Sequence, residues 1–123
     1  MITLEPFDLP ELLSVDFDKG LLFWKERDIF YFQNQDERIW KSWNTQYAGT
    51  QAFTAPIGGY FQGQIFGKLY YAHRIIWTMY YGDWPENEID HIDRNGFNNK
   101  ISNLRDVTHQ VNMNNKGAII HGL

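Results

Sequence analysis

The chain has 123 residues, of which 43% are hydrophobic and 17% aromatic, enough to bury the core of one domain. It contains no cysteine, which excludes disulfide bonds and cysteine zinc sites. No apolar run approaches the roughly 18 residues that a membrane helix needs. Because the first residues also lack the pattern of a secretory signal, we expect a cytoplasmic protein with no membrane partner.

The formal net charge of -4 argues against a general nucleic-acid binder, since such proteins are usually basic. The acidity is uneven along the chain. Nine of the 15 Asp and Glu residues lie within residues 1–38, with four of the 11 Lys and Arg residues. The remainder is therefore close to neutral, and its charge does not exclude phosphate binding.

The first third of the chain predicts an acidic arm followed by strands. Residues 1–19 combine acidic side chains with two prolines, which favours an arm or a short helix around residues 10–13. The segments 20–26 and 28–33 are rich in aromatic residues and have the length of strands. Residues 34–57 are polar and contain glycine, so we predict a loop there.

A glycine turn indicates a β-hairpin between residues 59–66 and 69–71. Gly67 and Lys68 stand between these two segments. Glycine accepts the positive φ that the first position of a type II′ turn requires. We therefore predict a β-rich part over residues 20–71 that contains an antiparallel hairpin.

From residue 72 the apolar side chains change to helical spacing. They fall at i, i+3, i+4, i+7 and i+8, which is one face of a helix: Ala72, Ile75, Ile76, Met79 and Tyr80. Gly82 is placed to end this helix, and Pro85 prevents its continuation.

The last third of the chain predicts two short strands and a closing helix. Residues 89–92 and 101–107 have apolar positions typical of strands, and an Asn-rich turn joins them. Thr108 can cap a helix that continues to about residue 116. The segment 72–123 therefore predicts helix, strand, loop, strand and helix, within one compact domain overall.

The stretch 88–108, EIDHIDRNGFNNKISNLRDVT, carries the side chains best suited to catalysis. A carboxylate such as Asp90, with an amide oxygen such as that of Asn112, forms an incomplete oxygen site of the kind that Mg²⁺ or Mn²⁺ prefers. The neighbouring His91 titrates near neutrality and can take a proton from water. These parts are sufficient for the hydrolysis of a phosphodiester bond.

The same residues also have a purely structural interpretation. A lone Asp-His pair in a strand more often serves structure than catalysis, and Asn-rich turns form because Asn tolerates left-handed backbone. His73, at the start of a helix, is expected to make a structural hydrogen bond. The four histidines lack the spacing of a zinc hydrolase: His73, His91, His109 and His121.

Residues 72–115 resemble the HNH endonucleases, in particular the small phage-borne homing type. The shared elements follow the family's order: Ala72-His73-Arg74, the step from Gly82 to Pro85, Asp90-His91, Asn103-Leu104-Arg105, and a closing helix with Asn112 and Asn115. Weaker similarity extends the match to about residues 20–116. The resemblance implies an α+β fold with a small ββα-metal (His-Me finger) core and an N-terminal antiparallel β-hairpin extension.

The resemblance also implies a role for each matching residue. His91 corresponds to the general base that activates water, and Asn103 to the residue that holds the base in orientation through nearby backbone. Asp90 and Asn112 correspond to the ligands of a divalent cation, Mg²⁺ or Mn²⁺. No small-molecule cofactor is implied.

DNA is the partner that the resemblance implies. The nearest candidates for DNA contacts are four basic residues and one amide, although exposed charges are ordinarily just solvated: Arg74, Lys100, Arg105, Asn115 and Lys116. Many relatives continue beyond the position of Leu123 into a DNA-binding region. We therefore expect sequence specificity to come from the N-terminal half, to be weak, or to be supplied by a protein partner.

Two functions remain open on these grounds. The first is a metal-dependent DNA endonuclease or nickase that is phage-encoded and acts in the host cell cytoplasm. The second is a catalytically silent HNH-fold module that binds DNA or protein. The complete set of Asp90, His91, Asn103 and Asn112 favours the endonuclease, whereas the acidic balance favours the silent module.

Overall fold

The computed structural model describes residues 3–107, which form a mixed α+β unit with antiparallel strands. The α-helices are α1 (Leu9–Leu12), α2 (Glu37–Tyr47) and α3 (Ala72–Tyr81). The strands are β1 (Leu13–Asp16), β2 (Leu21–Trp24), β3 (Gln51–Ala52), β4 (Ala55–Ile57), β5 (Tyr60–Ile65), β6 (Lys68–Tyr71), β7 (Glu88–His91) and β8 (Leu104–Val107). They pair in the orders β1-β2-β3, β4-β5-β6 and β7-β8. None of the helices described in residues 3–107 could span a bilayer, as the longest has 11 residues.

The N-terminal residues are part of the core, and of the two alternatives predicted for residues 1–19 the short helix is present, as α1, instead of an arm. Leu9 and Leu12 in α1 are fully buried, and Leu13 begins β1, which pairs antiparallel with β2. Three closely spaced leucines enter the core while Glu5 and Glu11 stay exposed. The abundance of acidic residues concealed this apolar pattern.

Residues 28–57 contain a helix that the sequence did not predict. The expected strand at 28–33 is a 3₁₀ turn over Ile29–Tyr31, and the expected loop contains α2. Asp36 caps α2, because its carboxylate accepts hydrogen bonds from the first backbone N–H groups. The indole of Trp40 donates to the carbonyl of Arg27 at 2.7 Å, which holds α2 against the chain. The cap and the hydrogen bond to Arg27 thus stabilise a helix whose sequence is too polar to predict it.

The predicted hairpin is present as β5 and β6, but its turn lies one residue earlier than predicted. Ile65 pairs with Lys68, so the turn residues are Phe66 and Gly67. Their φ values, 51° and 80°, are both positive, which is the type I′ pattern rather than type II′. The ring of Phe66 stacks on Tyr31 at 5.4 Å, and this packing favours the strained backbone.

The helix α3 begins and ends as predicted, and Gly82 closes it with a φ of 88°. The two predicted strands form the antiparallel pair β7 and β8, although residues 101–103 are a 3₁₀ turn that shortens the second strand. Ile75 and Ile76 of α3 are fully buried and pack with the leucines of α1 and β1. The predicted closing helix over 108–116 lies outside the described residues.

Candidate active site

The β7–β8 pair presents Asp90 and His91 at adjacent positions of one strand. Asp90 lies opposite Arg105, and His91 lies opposite Leu104. Because side chains alternate along a strand, the carboxylate and the imidazole point to opposite faces of the pair. Asp90 is only 2% exposed and His91 only 5%. Two buried polar side chains in successive positions require partners on both faces.

The imidazole of His91 is held by a side chain that the sequence did not single out. Its Nε2 lies 2.9 Å from the Oδ1 of Asn99, which is 2% exposed. A carbonyl oxygen only accepts hydrogen bonds, so Nε2 carries the proton and donates it to Asn99. In the neutral ring, Nδ1 then has the lone pair. This hydrogen bond selects the nitrogen that can act as a base.

Two rings also contact this imidazole. The ring of His73 meets it edge-on at 4.8 Å, and the ring of Tyr60 lies 5.6 Å away. Burial first, and then the proximity of His91 and Arg74, lower the pKa of His73 to about 3. His73 is therefore neutral near neutral pH. Its Nδ1 makes no hydrogen bond in the described structure, so the expected structural hydrogen bond is not seen at that atom.

Asn103 holds the loop after His91 rather than the imidazole itself. Its Oδ1 accepts from the backbone N–H of Asp93 at 3.0 Å, and its Nδ2 donates to the carboxylate of Asp93 and the carbonyl of Asn98. The backbone N–H of Ile92 donates to the carbonyl of Asn103 at 2.9 Å. The amide thus fixes the backbone directly after the imidazole, while Asn99 contacts the ring.

The other asparagines of the loop satisfy its polar groups. Asn98 donates to the carboxylate of Asp93 at 2.7 Å, and the backbone N–H of Asn95 donates to the same carboxylate at 2.8 Å. The hydrogen bond from Asn98, followed by that from Asn95, lowers the pKa of Asp93. The side chain of Asn95 in turn accepts from the backbone N–H of Phe97. The loop is therefore a hydrogen-bonded unit centred on Asp93.

Asp90, the predicted metal ligand, forms an ion pair. Its Oδ2 accepts from the Nε of Arg105 at 2.9 Å. Arg105 is one of the predicted DNA-binding residues, and its side chain is 43% exposed, so the guanidinium also faces solvent. The carboxylate is a hard oxygen donor and suits Mg²⁺ or Mn²⁺. Within residues 3–107 no group of three or more His, Cys, Asp or Glu residues could hold a metal.

Of the two predicted metal ligands, the described residues therefore include one, the carboxylate of Asp90, and its chemistry fits a metal site. The second predicted ligand, Asn112, lies outside the described residues, as do Asn115 and Lys116. The structure describes two further predicted DNA-binding residues. Lys100 is exposed on the loop that carries Asn99, and Arg74 is half-buried with its guanidinium 3.4 Å from the carbonyl of Asn87.

Sequence reasoning missed Asn99 and Tyr60, which both contact the imidazole of His91. Asn99 stands in a run of asparagines that the turn alone accounts for, so nothing in the sequence sets it apart. Tyr60 begins β5, about 30 positions before His91, and only the folded chain brings the two rings together.

Comparison with known proteins finds similarity to HNH endonucleases. Residues 70–114 match the family model for HNH endonuclease. The chain is also similar to the solved structure described as "DNA binding and cleavage by the HNH homing endonuclease I-HmuI". The TM-score is 0.57 and the identity 21%, over 89% of this chain and 56% of that one. The chain thus spans about half the length of that protein, and the likeness shows the fold. The comparison with curated proteins gives no match.

Proposed function

We propose that this chain, which belongs to the HNH endonuclease family through residues 70–114, is a metal-dependent DNA endonuclease of the phage-borne type. The observation that carries the proposal is the state of His91. The imidazole is buried, and the Asn99 hydrogen bond leaves its Nδ1 with the lone pair that a general base requires. Asp90, the adjacent residue, supplies a buried carboxylate.

The proposed reaction is the attack of water on a phosphodiester. Nδ1 of His91 takes one proton from the water while the water oxygen bonds to phosphorus. The bond from phosphorus to the leaving oxygen then breaks, the leaving oxygen takes a proton from solvent water, and His91 releases its proton to solvent. The neutral His73 beside the ring adds no positive charge there near neutral pH, because its pKa is about 3. Asn103 keeps the backbone after His91 in place during this transfer.

Asp90 and Asn112 would hold the divalent cation, Mg²⁺ or Mn²⁺. When bound, such a cation stabilises the negative charge that develops on the leaving oxygen. The guanidinium of Arg105, which contacts Asp90 at 2.9 Å, would hold the carboxylate in a fixed orientation. Two protein ligands leave most of a coordination sphere to water and phosphate oxygens, so the cation is expected to bind weakly without DNA.

DNA is proposed to lie along the β7–β8 pair. Arg74, Lys100 and Arg105 would contact phosphates, which sets position but not sequence preference. Asn115 and Lys116 are proposed to add contacts from the closing segment. The solvent face of the β4-β5-β6 sheet continues from the site, because Tyr60 and Tyr71 of that face both contact His73. A protein partner would supply further specificity to a chain of net charge -4.

A plasmid-relaxation assay tests this proposal. The purified chain should convert supercoiled plasmid to nicked or linear DNA with Mg²⁺ or Mn²⁺, and a chelator should stop the conversion. The variant Asp90→Asn, purified in parallel, controls for contaminating nucleases and should be inactive. If the chain binds DNA but cleaves none with either cation, the silent module is the correct function. The acidic net charge is the observation that favours that alternative.

A further inference from the structure

The turn between β1 and β2, residues 17–20, packs against the loop that carries Asn99. The backbone N–H of Ile101 donates to the carbonyl of Phe17 at 3.0 Å. Gly20 lies against the backbone of Asn99 and Lys100, so closely that a Cβ at residue 20 would collide with it. These contacts join segments about 80 positions apart, directly behind the amide that holds His91.

The turn is itself well anchored. The carbonyl of Asp16 accepts from the N–H of Gly20 at 2.8 Å, and its carboxylate accepts from the N–H of Lys19 at 3.0 Å. The ring of Phe17 meets that of Tyr80 in α3 edge-on at 5.1 Å. A rigid turn can therefore fix the position of whatever packs on it.

We propose that the β1–β2 turn is a positioning element for His91 and acts through Asn99. This inference rests on the proposed function. The turn fixes the position of the backbone of residues 98–101, and that backbone fixes the position of the Oδ1 of Asn99. The hydrogen bond to this Oδ1 then determines the tautomer and the ring orientation of the imidazole. Gly20 is required because only glycine combines a φ of +71° with so close an approach.

A pair of glycine variants tests the turn. Gly20→Ala should lower kcat for plasmid cleavage about 10–100-fold with little change in KM, because a small misplacement of a catalytic group has an effect of that order. Gly49→Ala is the matched control. Gly49 also has a positive φ, +84°, but no atom lies within 4 Å of a Cβ there. This control also places an alanine at a positive φ, and it should keep the wild-type kcat.

A double-mutant cycle separates a positional effect from general loosening. Asn99→Ala should lower kcat, and Asn99→Asp, which keeps the acceptor oxygen, should restore much of it. If the turn acts through Asn99, adding Gly20→Ala to Asn99→Ala should lower kcat little further. The same factor of loss in both backgrounds would overturn the proposal.

A milder pair covers the case in which Gly20→Ala does not fold. Asp16→Ala removes the side-chain acceptor for the backbone N–H of Lys19, whereas Asp16→Asn keeps an oxygen acceptor there. We expect a fall in kcat for the first and not for the second. Equal rates for both would contradict the proposal.

NMR keeps this inference distinct from the proposed function. The ¹⁵N shifts of the His91 ring should report a protonated Nε2 in the wild type and in Gly49→Ala, with a change in Gly20→Ala or Asp16→Ala. That result supports the positioning role even if the wild-type chain cleaves no DNA. Unchanged shifts in the turn variants would refute the role even if the chain is an active nuclease.

Discussion

Because His73 is buried, we predict that the protein loses stability in mild acid. Burial is the main reason that its pKa falls from 6.5 to about 3. Between these values the unfolded chain binds a proton that the folded chain does not. The contribution of this group to the free energy of unfolding is therefore fully present above pH 6.5 and is lost as the pH falls. From about pH 7 to about pH 5 the loss from this one group is about 2 kcal/mol. For a chain of this size, the melting temperature should fall by roughly 8 °C.

Urea unfolding between pH 7 and pH 5 measures this loss directly. In His73→Phe, which keeps an aromatic ring beside Tyr60 and Tyr71, the loss should be smaller than in the wild type by about 2 kcal/mol. Thr78→Val is the control, because it removes a buried hydroxyl from the same helix without removing a titrating group. It should shift stability by a constant amount across this range. An identical pH dependence in the wild type and His73→Phe would refute the reasoning.

Three further changes have expected outcomes. Leu9→Ala should lower the free energy of unfolding in urea by about 2–5 kcal/mol, since Leu9 is fully buried. No change in this free energy would indicate that residues 1–19 form an arm outside the core. Arg105→Ala leaves the carboxylate of Asp90 buried without its guanidinium and should cost about 1–3 kcal/mol, whereas Arg105→Lys should cost less, as calorimetry can show. Gly96→Ala would bring a Cβ against Gly59 and the ring of Tyr60, and should lower the melting temperature and shift the NMR signals of the Tyr60 ring. A melting temperature and Tyr60 signals like those of the wild type would contradict this packing.

The elements that the sequence predicts well are those whose pattern is local. The apolar side chains of α3 recur at helical spacing and are followed by Gly82, so local pattern and packing agree. The isoleucines that flank Asp90 and His91 predict the strand β7. The resemblance to the HNH endonucleases also depends on residues close together in sequence, and the family-model match over 70–114 confirms it.

The parts that sequence reasoning missed depend on contacts between distant residues. No buried residue marks α2, whose position is set by the Asp36 cap and by the hydrogen bond from Trp40 to Arg27. The selection of Asn99 from a run of asparagines depends on the β1–β2 turn. Neither signal exists in a single stretch of sequence, because each arises only after folding.

Single-turnover cleavage of supercoiled plasmid by His91→Ala is the most direct test of the proposed activity. We expect the rate with Mg²⁺ or Mn²⁺ to fall by about 10²–10⁴-fold relative to the wild type. The variant should stay folded at the assay temperature and keep a DNA affinity close to that of the wild type, although losing the hydrogen bond to Asn99 should lower its melting temperature. Cleavage by His91→Ala at the wild-type rate would contradict the assignment of His91 as the general base.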